Sequence, residues 1–290
     1  MRDFIITSDS TVDIGPERML ELNVPYVSLK CIHKDGEFSD DMTEATAKRI
    51  YGLMRDGDKI STSQALADDY VRLWQPILEK GHDIVHLGFS SGLSGSVGGA
   101  QLAANMLLEK YPGSQIYVSD SLSASGGQGL LLEHMVNQKK AGLTAEECFR
   151  FAEDTKLNVH HWFTVSELTY LRRGGRVKAT AAFVADILHI KPVLNMDNAG
   201  HLIPRVKVKG RKSAVKRLFD NMCKYISIEK NSFVNITHAD CIEDALLLSD
   251  MIKAMFRGIK VQISMIGATI GSHSGPGTLA LFFIGCPRET

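Results

Sequence analysis

Three short stretches of this chain gather residue types suited to an acidic ligand. Gly88-Phe89-Ser90-Ser91-Gly92-Leu93-Ser94-Gly95-Ser96 follows the apolar run Ile84 to Leu87 and precedes a helix-like segment from Val97 to Glu109. A strand that empties through a loop into a helix leaves the first N–H groups of the helix facing the loop. A partial positive charge stands behind them, which seats an anion. Ser90, Ser91, Ser94 and Ser96 add hydroxyl donors, and Gly92 and Gly95 let the backbone approach a ligand closely. Ile60-Ser61-Thr62-Ser63-Gln64, ahead of a helical pattern from Ala65 to Leu78, is a second hydroxyl cluster that would suit the same anion. The third stretch, Gly267 to Thr278, is rich enough in glycine to read as a tight loop between strands. It sets His273 among small residues, where an imidazole can bind an anion or pass a proton. Each stretch also has an ordinary explanation, since Ser and Thr cap helices and His occurs in surface turns.

Other chemistries are poorly supported. The serine loop lacks the Lys of a phosphate-binding loop, and its glycines do not form a dinucleotide fingerprint. Gly92-Leu93-Ser94-Gly95 is not a nucleophile elbow, so no catalytic residue is assigned, and a serine hydrolase or acyltransferase using Ser94 and His273 is the alternative function. His160 and His161 point to opposite faces of a strand, and Asp40 and Asp41 read as caps of a helix from Thr43 to Met54. No metal and no cofactor are expected. Leu171-Arg172-Arg173-Gly174-Gly175-Arg176-Val177 reads as a helix ending in a Gly pair, structural rather than ligand-contacting. Five scattered cysteines, none in a Cys-x-x-Cys pair, fit reduced thiols and a cytoplasmic location. No signal peptide or membrane-spanning run is expected.

Lys plus Arg and Asp plus Glu each number 33, which gives no global case for nucleic-acid or membrane binding. Positive charge concentrates locally, from Arg205 to Lys212 with Lys216 and Arg217. This is either a solvated face or a docking surface for an acidic or nucleotide-bearing protein. The run holds no aromatic residue, and a DNA-associated regulator is the weakest of the three readings.

The elements that must position these residues change character along the chain of 290 residues. Strand-like runs at Phe4 to Thr7, Tyr26 to Ile32, Ile84 to Leu87 and Gln115 to Ser119 alternate with helical patterns. That alternation predicts an α/β fold with a mainly parallel sheet flanked by helices, and ligand loops at the carboxyl ends of its strands. After about residue 157, a strand from Val159 to Val165 and a hairpin around Asp197-Asn198-Ala199-Gly200 predict an α+β unit on a mixed or antiparallel sheet, with a helix from Ala179 to His189. Two domains are expected, 1–157 and 158–290.

The chain resembles the DegV family of fatty-acid-binding proteins, which includes the lipid-carrying subunit of bacterial fatty acid kinase. The resemblance runs nearly end to end. It is carried by Ser8-Asp9-Ser10, Thr62-Ser63-Gln64, Ser91 to Ser96, Asp120 to Ser125 with Gly127-Gln128-Gly129, Leu168 to Arg176, and Ile266-Gly267-Ala268 with His273-Ser274-Gly275-Pro276-Gly277. It implies a two-domain fold holding a long-chain fatty acid, whose carboxylate is bound by Thr62, Ser94 and the backbone near Gly95, with His273 beside it. It also implies that Arg205 serves docking of the fatty acid kinase that makes the acyl phosphate for phospholipid synthesis. Ala65 stands where many members have Pro, and Gly98-Gly99 stand where bulkier residues are common. The second departure is expected to widen the pocket or loosen the helix start.

Overall fold

The computed structural model describes residues 2–177 and 189–288, so the helix expected from Ala179 lies outside the described residues. The fold is α/β. A four-stranded, all-parallel sheet runs in the order Tyr26–Val27, Phe4–Asp9, Asp83–Gly88, Ile116–Asp120. Asp83–Gly88 is buried along its whole length and reads as a continuous apolar run, as a strand covered on both faces must. The strand order reverses between Phe4–Asp9 and Asp83–Gly88, which opens a crevice at their carboxyl ends.

The second sheet is mixed and six-stranded: Leu202–Lys209, Ile190–Met196, Val159–Thr164, Leu279–Ile284, Phe233–His238, Lys260–Met265. The last two strands pair in parallel and the other pairs are antiparallel. Its central strands are apolar on both faces. Phe163, Ala280 and Phe282 join a core that continues to Phe4 and Leu87 of the parallel sheet, while Trp162, Leu281 and Phe283 face the helices Arg211–Tyr225 and Ile242–Met255. Alternation of period two thus builds two layers from one strand pair. Gly126–Lys140, buried through most of its first two turns, packs between the sheets.

A third sheet was not anticipated. Tyr26 to Ile32 is not one strand: the chain turns at Ser28-Leu29, and Lys30–His33 pairs antiparallel with Gly36–Ser39 and with Ser61–Ser63. Thr62 therefore sits in a short strand, and its helix begins later, at Ala67. Gly267 to Thr278 is likewise not a loop throughout, because Ala268–Ser274 is helical. Two buried carboxylates explain how so glycine-rich a segment holds a helix. Asp40 accepts from the N–H groups of Ala268 (3.3 Å) and Thr269 (2.8 Å), and Asp13 accepts from Gly267 N–H (2.9 Å). Asp40 therefore caps a remote helix, whereas Asp41 receives Thr43 N–H (2.9 Å) ahead of the helix Glu44–Arg55, as the sequence suggested.

Candidate functional site

The serine loop leaves Asp83–Gly88 at the crevice and is fastened on several sides. Phe89 N–H donates to buried Asp9 (2.9 Å), Ser91 N–H to Asp120 (3.2 Å), and Ser90 Oγ–H to the Gly200 carbonyl in the turn of the second-sheet hairpin (2.9 Å). Gly92 lies against that turn so closely that a Cβ would stand 2.7 Å from the Ala199 and Gly200 carbonyl oxygens. The loop feeds the helix Ser96–Lys110, with Gly95 at the N-cap. Ser94 Oγ lies 2.9 Å from Ser96 Oγ and accepts from Ser96 N–H (3.3 Å).

Below this loop is a cavity of about 410 Å³, within the size range of small-molecule sites. Thr62, Ser94, Gly95 and His273 all line it, although they come from three separate parts of the chain. Most of its wall is apolar, with Phe89 and Leu93 from the serine loop, Phe163 and Phe282 from the mixed sheet, Met196 from the hairpin and Ile270 from the short helix. His161 and Ser125 also reach it, and His160 turns away to stack on Phe283 (5.0 Å between centroids), so the two histidines do face opposite ways.

Thr62 Oγ1 and His273 Nε2 are 2.7 Å apart. Burial, and then the neighbouring Arg176 guanidinium, push the His273 pKa down to about 4, so the ring is neutral near pH 7. A neutral ring that carries its proton on Nε2 donates to Thr62 Oγ1 and leaves the threonine hydroxyl proton for a ligand. The other ring nitrogen faces Gly174, where a Cβ would stand 2.3 Å from Nδ1. The ring is thus held between a hydroxyl and a bare backbone.

Arg176 is a cavity residue that the sequence reading passed over as part of a helix end. The helix Thr169–Arg173 does stop at Gly174 and Gly175, as expected. The chain then returns Arg176 to the cavity, where Nε donates to the Leu93 carbonyl (3.3 Å) and a second nitrogen to the Gly174 carbonyl. A guanidinium after a Gly-Gly break was the available signal, but only packing of that helix against Ala268–Ser274 shows where it points.

A Ser94–His273 dyad is not formed, since Ser94 bonds within its own loop and His273 bonds Thr62. An imidazole with a pKa of about 4 is also a weak base near neutral pH, which argues against the hydrolase alternative. Arg205 lies outside the cavity. It sits at a register shift between Pro204 and Val206 on the outer strand, exposed, with Nε donating to Asn195 Oδ1 (2.7 Å). The Ala65 and Gly99 departures pack on each other rather than widening the pocket. Ala65 N–H donates to Ser96 Oγ (3.2 Å), a bond proline has no proton to make, and a Cβ on Gly99 would stand 2.8 Å from the Ala65 carbonyl oxygen. Neither Gly98 nor Gly99 lines the cavity. Among the described residues there is no group of three metal-ligating side chains, and no helix is long and apolar enough to cross a membrane.

Comparison with known proteins places this geometry. A family model described as "Uncharacterised protein, DegV family" matches residues 3–285. A DegV domain-containing protein of Clostridium perfringens is 38% identical over 290 residues, all of both chains. A structure reporting fatty acid binding of a DegV family protein from Thermus thermophilus superposes with a TM-score of 0.87 at 26% identity, covering 98% of this chain and 100% of that one. The Streptococcus pneumoniae fatty acid kinase B3 protein loaded with linoleic acid shares the fold, with a TM-score of 0.83 at 23% identity over 97% of this chain and 99% of that one.

Proposed function

The chain belongs to the DegV family, and from that footing we propose that it binds a long-chain fatty acid and presents the carboxylate to a separate ATP-dependent fatty acid kinase. The carrier does no bond chemistry of its own and works in the cytoplasm. Residues 1–157 supply the hydroxyl loops, and residues 158–290 supply His273, Arg176 and the far apolar wall. The observation that carries the reading is one apolar cavity whose polar lining includes Thr62, Ser94, Gly95, Arg176 and His273. The Thermus thermophilus relative, named for fatty acid binding, supports it.

The energetics divide by part of the ligand. A sixteen-carbon tail buries about fifteen groups at ~0.8 kcal/mol each, roughly 12 kcal/mol before the cost of association. Removing the carboxylate from water costs several kcal/mol unless donors replace its hydration, which is the role of the Thr62 and Ser94 hydroxyls and the N–H groups after Gly95. Arg176 supplies a countercharge. The tail sets affinity, and the head group sets orientation. In the kinase complex one carboxylate oxygen forms a bond to the γ-phosphorus of ATP as the bond to ADP breaks, giving acyl phosphate and ADP. Arg205, on the exposed hairpin, offers the kinase a cation.

The test is displacement of a fluorescent fatty acid from delipidated protein. Thr62→Ala and Ser94→Ala should each weaken binding by about 10-fold or more, the worth of a hydrogen bond to a charged group. Wild-type affinity in both variants, with unchanged phosphorylation of the loaded carrier, would remove these residues from the site.

A further inference from the structure

A second cavity, of about 310 Å³, adjoins the first. Thr62, Arg176 and His273 line both, so these three side chains form the partition. The character of the lining changes across it. Where the first cavity is walled by aromatic and aliphatic side chains, the second is lined by Lys59, Arg173, Arg176, Asp58, Ser61 and Ser272 among others. Three cations face one acid, and that acid is already engaged: Asp58 accepts from Lys34 Nζ (2.9 Å) and lies 3.2 Å from His33 Nε2. Among the described residues no carboxylate lies within ion-pairing distance of Lys59, Arg173 or Arg176. The outer cavity is therefore electropositive in excess of its own acids.

Resting on the fatty-acid reading above, we propose that this outer cavity is a phosphoryl subsite, in which the carrier retains its acyl chain after phosphorylation with the phosphate between Lys59, Arg173 and Arg176. With the tail in the apolar cavity and the carboxyl group at Thr62 and His273, a group added to the carboxyl oxygen has to extend away from the tail. That direction leads across the partition into the outer cavity. An acyl phosphate carries more negative charge than a carboxylate and presents several acceptor oxygens, which guanidinium and ammonium groups bind through charge-assisted hydrogen bonds. A bare fatty acid leaves Lys59 and Arg173 unused. They thus separate the product from the substrate, and a carrier built this way hands on the activated chain without first releasing it to water.

The probe is hexadecyl phosphate, a stable single-chain phosphate ester, measured against palmitate and inorganic phosphate by displacement of a fluorescent fatty acid. Wild-type protein should bind hexadecyl phosphate at least as tightly as palmitate. Lys59→Glu with Arg173→Glu should weaken hexadecyl phosphate by about 10-fold or more, equivalent to about 1.4 kcal/mol, and leave palmitate within about 2-fold. Both residues are exposed, and the melting temperature of the variant verifies that it folds. Equal loss for both ligands, or no loss for either, overturns the subsite, as does inorganic phosphate competing as well as the tailed ester. Wild-type protein that binds palmitate but not hexadecyl phosphate defeats the subsite alone, whereas failure to bind palmitate defeats the carrier reading beneath it.

Discussion

His273 enters the site as a neutral ring, and its protonation has a direction that can be measured. The native pKa of about 4 lies below the ordinary value of 6.5, because burial and Arg176 both oppose a second positive charge. Above pH 6.5 neither folded nor unfolded chain protonates this ring, and its contribution is complete. As pH falls from about 6.5 toward 4 the unfolded chain takes up a proton that the native state refuses, and stability falls by up to about 1.4 kcal/mol per pH unit. Below about pH 4 both states are protonated and the loss levels off. His273→Asn should remove that part of the acid sensitivity, seen as a shallower fall of melting temperature between pH 6.5 and 4 than in wild type. An identical fall in both proteins would mean that the ring titrates normally in the native state. At this scale much of the site was legible. Thr62, Ser94, Gly95 and His273 stand out by residue type and by neighbouring glycines, and one cavity takes all four. Arg176 was not legible, because the same letters describe a helix end, and only tertiary packing turns its guanidinium inward.

Among the elements, the short helix Ala268–Ser274 and the turn after Thr169–Arg173 hold the imidazole between them. Gly174 has an ordinary helical φ of −73°, so alanine there carries no backbone strain and is the better helix former. The obstacle is steric, a Cβ 2.3 Å from His273 Nδ1. Gly174→Ala should therefore keep the wild-type melting temperature within a few degrees while fatty-acid affinity falls several-fold, because the ring and Thr62 must separate. Full affinity in that variant would show that His273 has room to move without consequence. The helix itself escaped the sequence reading for a related reason. Its local composition favours a loop, and the carboxylates that stabilise it, Asp13 and Asp40, lie more than 200 positions away in the chain. The break at Ser28-Leu29 was equally hidden. Leu29 is tied by its N–H to Ser10 Oγ (3.0 Å) and by its carbonyl to Asp40 N–H (2.8 Å), partners that no local pattern announces.

Across the whole molecule, the ligand cavity lies where the core of the two large sheets meets the serine loop and the small third sheet. The parallel sheet and the hairpin-bearing mixed sheet were readable, since strand–helix alternation and the Asp197 to Gly200 turn state them directly. How the sheets face each other was not, because strands apolar on both faces do not say which face meets which partner. One apolar cluster runs from Phe4 through Leu130 to Phe282 and Ile284, and the cavity is walled by side chains of both halves. A ligand that binds only the folded chain adds RT ln(1 + [L]/Kd) to its stability, about 2.7 kcal/mol at one hundred times Kd. The loaded carrier should accordingly melt several degrees above the delipidated one in a single transition, since the bound tail touches both halves. Two separated transitions, only one of them moved by ligand, would show that the halves respond independently. The most direct test of the central claim is mass spectrometry of the purified protein after denaturation, followed by fatty-acid titration of the delipidated chain. The account predicts a released long-chain fatty acid and saturable rebinding near one equivalent. No released acyl chain together with no saturable binding would contradict it.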